Sequence, residues 1–158
     1  MPFRQVVPLP NSVVTSLAMP AARSRPASAA RRPDVIIDFH CDQGLLFISL
    51  KNIGERSAYS VSTKFDKPLL GLGGEKTISD LQVFRCVEFV PPGKEFTQFV
   101  DPISAWFQQG RPTRYNITIT YADRDGKKFR ERITHNLDIY RDLGYISSPG
   151  GDHDEPAQ

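Results

Sequence analysis

The sequence predicts an all-β fold, a single antiparallel sandwich of about seven short strands with a disordered tail at each end. Apolar residues recur at every second position in several segments, which is the pattern of strands with one buried face. Turn residues separate these segments at intervals of about 8–12 residues, and almost no stretch has helical periodicity. The 158 residues suffice for one domain with its own core.

Composition divides the chain into a body, residues 34–145, and two tails. Residues 1–33 hold five arginines, no acidic residue and few large apolar side chains, so they cannot bury enough surface to offset their ordering entropy. We predict a disordered basic tail there and a disordered acidic tail at 146–158. A secretory signal, an organelle transit peptide and a misassigned start near Met19 are alternative interpretations of residues 1–33. The lack of a clear export signal favours the cytoplasm over export.

The net charge of +2 comes from the first tail. Beyond residue 33 the chain has 15 basic and 18 acidic residues, so the body is mildly acidic. This balance argues against nucleic-acid binding by the folded domain. No apolar run approaches the roughly 18 residues of a membrane-spanning helix, so no transmembrane segment is predicted.

The first half of the body begins with a predicted hairpin. Val35, Ile37 and Phe39 lie on one side of a first strand, and a turn at 42–44 connects it to a second strand at 45–52.

A tight connection then leads to a third strand at 57–65, which contains Ala58. Asn52 and Gly54 are expected to allow positive φ in this connection. Residues 69–77 are predicted to be a flexible loop, because they are rich in glycine.

The second half repeats this alternation of turns and strands. Pro91–Lys94 predicts a type II-like turn at Gly93, followed by a strand at 95–100. A single helical turn is expected at 104–109. Residues 114–122 form the clearest later strand, with Tyr115 on its apolar side. A hairpin loop containing Gly126 connects it to a returning strand at 129–139.

The turn and core residues follow a pattern that resembles the immunoglobulin-like domains of bacterial proteins, with the cell-adhesion-related CARDB type as the closest kind. The resemblance covers about residues 34–140. It is carried by Asn52-x-Gly54-x-x-x-Ala58-x-x-Val61, Pro91-Pro92-Gly93-Lys94, Tyr115-x-Ile117-x-Ile119-x-Tyr121 and Asp125-Gly126-Lys127.

This resemblance implies a seven-stranded immunoglobulin-like sandwich that acts as a spacer or binding module and has no catalytic site. Tyr115 stands at the position of a tyrosine corner. Ile117 stands where antibody domains carry a cysteine, so the implied core has no antibody-type disulfide.

The function predicted from the sequence is a non-catalytic protein-interaction or structural module whose partner is another protein. The expected contacts are a free edge strand, by β-augmentation, or the loop 69–77 together with the turn 104–109. Trp106, Phe107 and Leu72 are the candidate partner-binding residues, on the condition that the aromatic side chains are exposed. No catalytic residue and no cofactor is predicted.

The alternative is a small-molecule or metal-binding sandwich. His40, Cys41, Cys86 and His135 supply nitrogen and sulfur atoms suited to zinc. Their spacing lacks the paired pattern of a zinc motif, so no metal site is predicted. The two cysteines are expected to be reduced and partly buried.

Overall fold

The computed structural model describes residues 31–143, and this part of the chain forms two antiparallel sheets that enclose one core. Most of both predicted tails therefore lies outside the described residues. The strands are β1 (Val35–Asp42), β2 (Leu45–Asn52), β3 (Ala58–Phe65), β4 (Leu70–Gly71), β5 (Lys76–Thr77), β6 (Val87–Val90), β7 (Glu95–Pro102), β8 (Arg114–Ala122) and β9 (Lys128–Asn136). The helices are α1 (Gln82–Arg85), α2 (Ile103–Gln108) and the 3₁₀ turns Leu72–Gly74, Ile78–Asp80 and Leu137–Tyr140.

The strand order confirms the predicted all-β antiparallel sandwich. One sheet has the order β1-β2-β7 and the other the order β6-β3-β8-β9, and β4 and β5 form a separate small hairpin. Within residues 31–143, seven strands thus make up the two principal sheets. The fourth of these seven, β6, pairs with β3, the third strand. In a constant-type immunoglobulin sandwich the fourth strand instead joins the sheet of the first, second and fifth strands.

The core lies between the two sheets and includes the buried side chains of α2, Ile103 and Trp106. Tyr115 of β8 is fully buried between Phe39 of β1, whose ring centroid is 6.0 Å away, and Trp106 of α2, at 6.5 Å. Burial raises the pKa of Tyr115 to about 12. Among the described residues, the Tyr115 hydroxyl makes no hydrogen bond of the tyrosine-corner kind. Tyr115 therefore acts here as a core residue.

In the connection after β2, Asn52 and Gly54 have roles that differ from the predicted ones. Neither Asn52 nor Gly54 adopts positive φ, so that expectation was wrong. Asn52 is fully buried, and its side-chain amide forms hydrogen bonds with four main-chain groups. At Gly54, a Cβ atom would lie 2.4 Å from the carbonyl oxygen of Arg32 and from the nitrogen of Asp34. Close packing, and not φ, selects glycine at this position.

Two other turn predictions agree with the backbone. Gly93 has a φ of +74° and Gly126 a φ of +83°, which places both in the left-handed region that favours glycine. Ala58 is fully buried at the start of β3.

Residues 69–77 form an ordered hairpin and not the expected flexible loop. Leu69 and Ile78 at its base are fully buried, and the Ile78 N–H donates to the Leu69 carbonyl oxygen at 2.7 Å. Its strands β4 and β5 have two residues each, which is too short for a period-two pattern to be visible in the sequence. Contact with β7, which sequence reading does not show, orders this segment.

Candidate functional site

The edges of the two sheets are the places where a partner strand could add. Within the described part of the chain, the edge strands are β1 and β7 in one sheet and β6 and β9 in the other. An exposed edge offers a row of unpaired N–H and C=O groups. The four edges differ in how far other parts of the chain occupy these groups.

The edge of β1 is occupied by side chains. The Asp34 carbonyl oxygen accepts from the Ile53 N–H, so the odd-numbered residues of β1 direct their main-chain groups away from β2. His135 Nε2 lies 2.9 Å from the carbonyl oxygen of Ile37, and the Tyr140 hydroxyl donates to that of Phe39. These two side chains cover the middle of the β1 edge.

The edge of β7 is partly covered by other parts of the chain, and β6 is a short edge strand. Gln98 Nε2 donates to the Phe99 carbonyl oxygen at 2.9 Å, and Gly71 packs directly against the carbonyl oxygen of Val100. Strand β6 has four residues, and the carbonyl oxygen of Val90 accepts from Asn52.

Strand β9 is a nine-residue edge. The Asp66 N–H donates to the Asn116 carbonyl oxygen, so Asn116 faces β3 and the odd-numbered residues of β8 face β9. By the β8–β9 register, the residues of β9 that direct their N–H and C=O groups outward are Lys128, Arg130, Arg132, Thr134 and Asn136. Within residues 31–143, the outward groups from Lys128 to Thr134 have no hydrogen-bond partner.

The same strand carries a row of positive charge. Lys128, Arg130 and Arg132 are exposed and share the outer face of the sheet. Two further positive residues belong to this row by the strand register. Lys64 of β3 pairs with Thr118, which in turn pairs with Arg132, and Arg114 lies at the start of β8. We call this set the basic face: Lys64, Arg114, Lys128, Arg130 and Arg132.

Within residues 31–143, acidic side chains form no salt bridge with the β9 cations of the basic face. Asp66, at its margin, accepts hydrogen bonds from the main chain and the side chain of Asn116 at 3.1 and 3.0 Å, and it lies 3.7 Å from Lys67. The hydrogen bonds from Asn116, together with the charge of Lys67, outweigh desolvation and lower the pKa of Asp66. Among residues 31–143, none of the salt bridges involves Lys128, Arg130 or Arg132. Glu131 belongs to the alternate set of β9 residues, which shares its face with buried Ile119.

A protein-family model matches residues 9–141 and is described as Domain of unknown function (DUF8453). The chain belongs to this family. The match begins well before residue 34, where composition placed the start of the domain. No curated protein and no solved structure matched the chain. In the described part of this DUF8453 chain, no helix combines the length and apolar character needed to cross a membrane.

The three candidate partner-binding residues differ in their exposure to solvent. Trp106 is fully buried, so the condition of an exposed aromatic anchor fails for it. Ile103 and Trp106 lie three residues apart on one face of α2, and this apolar face turns into the core. Phe107 is half-buried, with the Arg141 guanidinium 4.4 Å above its ring centroid. Leu72 is 42% exposed and has a φ of +53°.

The proposed metal ligands occupy different environments. His40 stacks on Phe47 at 5.3 Å, whereas His135 meets the Phe39 ring edge-on at 5.1 Å. Cys41 is half-buried, and burial raises the pKa of its thiol. Cys86 is exposed, contrary to the expectation of a partly buried thiol, and both cysteines are free. Within residues 31–143, no group of three or more His, Cys, Asp or Glu side chains is arranged to hold a metal ion.

The basic face was not predicted from the sequence, because only the net charge of the body, which is mildly acidic, was considered. The signal was present in the sequence, since Arg130 and Arg132 alternate within the predicted last strand, 129–139, and Lys128 immediately precedes it in the same alternation. Alternate residues of a strand share a face, so these three positive side chains had to lie together.

Proposed function

We propose that this protein is a non-catalytic interaction module that binds an extended segment of another protein along β9 by β-augmentation. The observation that supports this is the edge of β9, whose outward main-chain groups from Lys128 to Thr134 have no partner within residues 31–143. In β-augmentation the added strand gains main-chain hydrogen bonds, and alternate side chains supply specificity.

The contrast with β1 strengthens this proposal. Side chains of His135 and Tyr140 occupy the main-chain carbonyls at the edge of β1. The chain passes beside β9 at both ends, where Arg32 lies over the Phe129 ring and His135 reaches Ile37. Those contacts use side chains and leave the outward main-chain groups of Arg130 and Arg132 unbonded within the described residues.

Positive side chains on an edge also protect it from self-pairing. If β9 paired with β9 of a second copy, Lys128, Arg130 and Arg132 would be brought close to like charges, which destabilises such a pair. The edge is therefore selective, because it disfavours an identical strand and remains available to a different one.

The immunoglobulin-like character belongs to the same proposal. It is supported by the two-sheet arrangement of seven strands and by the turn and core residues that resemble bacterial modules of this kind. The resemblance implies a module that binds or positions other proteins. An unpaired edge strand is a surface to which such a protein can bind.

The test is a matched pair of substitutions at one outward-pointing residue. Arg132→Pro removes both the positive charge and the outward N–H, whereas Arg132→Ala removes only the charge. The ladder to β8 uses the neighbouring odd-numbered residues, so both variants of the full chain are expected to fold, which circular dichroism and thermal melting check.

Peptides selected for binding from a displayed random heptapeptide library serve as the probes. They are expected to bind the Arg132→Ala variant and to lose at least about tenfold in affinity for Arg132→Pro. Peptides methylated on the main-chain nitrogens that face β9 should also fail to bind. Equal binding by the two variants, or no selected peptide, overturns the proposal.

A further inference from the structure

We infer that the segment that adds to β9 carries acidic side chains at every second position and apolar side chains between them. This inference rests on the proposed function of the β9 edge and names the chemistry of its partner.

The spacing of the three cations predicts acidic side chains at alternate positions of the partner. Lys128, Arg130 and Arg132 are alternate residues of one strand, so successive positive side chains are about 6.6–6.8 Å apart along the strand. A strand added beside β9 repeats its side chains at the same interval, and opposed Cβ atoms lie about 4.5–5.5 Å apart. Carboxylates at positions i, i+2 and i+4 of the partner therefore fall opposite the three cations in one register.

The three cations lack acidic partners of their own. None of them forms a salt bridge within residues 31–143, although the structure contains such pairs elsewhere, for example between Lys51 and Glu95 at 3.3 Å. Lys64 and Arg114 extend the positive charge over the inner strands of the same face. An incoming acidic segment meets a predominantly positive face, which raises the rate of encounter as well as the selectivity for acidic partners.

The residues of β9 between the cations predict apolar side chains at the intervening positions of the partner. Phe129 and Ile133 are only partly buried against the core, and Phe129 stacks on Tyr121 at 5.3 Å between ring centroids. Side chains that a partner strand directs to this side cover the exposed part of Ile133 and the part of Phe129 that Arg32 and Lys127 leave open. Glu131 lies between them and disfavours a carboxylate opposite itself. The preferred segment is thus acidic on the outer face and apolar on the other.

The experiment measures the affinity of the full-length protein for three synthetic peptides by fluorescence anisotropy at moderate salt. The first is Thr-Glu-Val-Glu-Val-Glu-Thr, which has the inferred pattern. The second has the same composition with its three glutamates consecutive, and the third replaces the glutamates by lysine. The first peptide is expected to bind at least about tenfold more tightly than either of the others, because only it places three carboxylates opposite the cations.

A charge reversal in the protein provides the reciprocal test. The double variant with Arg130→Glu and Arg132→Glu should prefer the lysine peptide to the glutamate peptide. The matched control Lys76→Glu changes an exposed residue of β5, which is not part of β9, and should keep the original preference. Circular dichroism of each variant verifies the fold.

The outcomes separate the two proposals. If the lysine peptide binds as tightly as the first peptide while Arg132→Pro still abolishes binding, strand addition stands and the acidic pattern is wrong. If the first peptide is preferred but Arg132→Pro binds it as well as Arg132→Ala does, charge acts without strand addition and the proposed function fails. If a single-stranded oligothymidylate binds more tightly than the first peptide, the face recognises a polyanion and the peptide inference is overturned.

Discussion

The side-chain amide of Asn52 donates a hydrogen bond to the carbonyl oxygen of Val90 at 2.9 Å, which ties β2 of one sheet to β6 of the other. The same nitrogen donates to the carbonyl oxygen of Arg56 at 2.8 Å. The side-chain oxygen accepts from the main-chain N–H groups of Asp34 at 3.2 Å and Gly54 at 3.0 Å. One buried amide thus joins the two sheets, the chain entering β1 and the connection after β2.

Replacing Asn52 by alanine should lower the free energy of unfolding by about 2–4 kcal/mol, because buried main-chain groups lose their hydrogen bonds. Urea denaturation measures this loss. Asn116→Ala is the control, since Asn116 makes its side-chain hydrogen bonds in an exposed environment and should cost less than about 1 kcal/mol. Equal losses for the two variants would contradict the central role of Asn52.

Gly54→Ala should destabilise the protein through a steric clash. The added Cβ would meet the main chain of Arg32 and Asp34, which cannot move like a flexible side chain. The expected loss in unfolding free energy is about 2–3 kcal/mol. At Gly44, φ is +75° but no atom lies within 4 Å of an added Cβ, so Gly44→Ala should cost only the backbone strain of about 1 kcal/mol. A larger loss at Gly44 than at Gly54 would reverse this assignment.

Amide hydrogen exchange should alternate along β9. The N–H groups of Phe129, Glu131 and Ile133 bond to β8, whereas those of Arg130 and Arg132 point outward. We expect Arg130 and Arg132 to exchange at least about 100-fold faster than their neighbours in two-dimensional NMR spectra. In β8, which has a strand on each side, Ile117 to Thr120 should all exchange slowly. Slow exchange at both arginines would mean that the β9 edge is not open.

Stability should fall in alkaline solution through Tyr115. Burial raises the pKa of Tyr115 to about 12 in the folded protein, from about 10 in the unfolded chain. Between these values the unfolded chain has released the phenolic proton and the folded protein still holds it. The contribution of Tyr115 to the free energy of unfolding is therefore complete below pH ~10 and decreases by about 1.4 kcal/mol per pH unit between pH ~10 and the folded-state pKa of about 12.

Denaturation curves at several pH values check this expectation, with Tyr115→Phe as the comparison. The phenylalanine variant cannot ionise at this position, so it should lose less stability than the parent protein as the pH rises. Parallel pH profiles for the two proteins would show that Tyr115 ionises equally in both states.

Trp106→Ala should destabilise the fold by about 3–5 kcal/mol, because it removes a fully buried side chain that packs against Tyr115. Leu72→Ala, at an exposed position in the β4–β5 hairpin, should cost less than about 1 kcal/mol. Thermal melting of both variants measures the difference. A stable Trp106→Ala protein would show that this indole is not part of the core.

Much of the fold could be predicted from the sequence, because a strand with one buried face alternates apolar and polar residues. The alternation in 45–52 and 114–122 predicted β2 and β8 with the bounds that the structure has, and Gly93 and Gly126 marked turns that require positive φ. Such patterns depend on neighbouring residues only. The sequence therefore determined the fold class, the main strands and the turn glycines.

Only the tertiary structure decided the roles that depend on distant residues. The bonds of Asn52 to Asp34 and Val90 and the close packing of Gly54 against Arg32 and Asp34 join segments far apart along the chain. The burial of Trp106 likewise depends on a core that is assembled from both halves of the body. The same holds for the edges, since His135 and Tyr140 cover β1 from about 100 residues away. Which strand keeps a free edge follows from how the two sheets pack, and a local pattern contains no information about that packing.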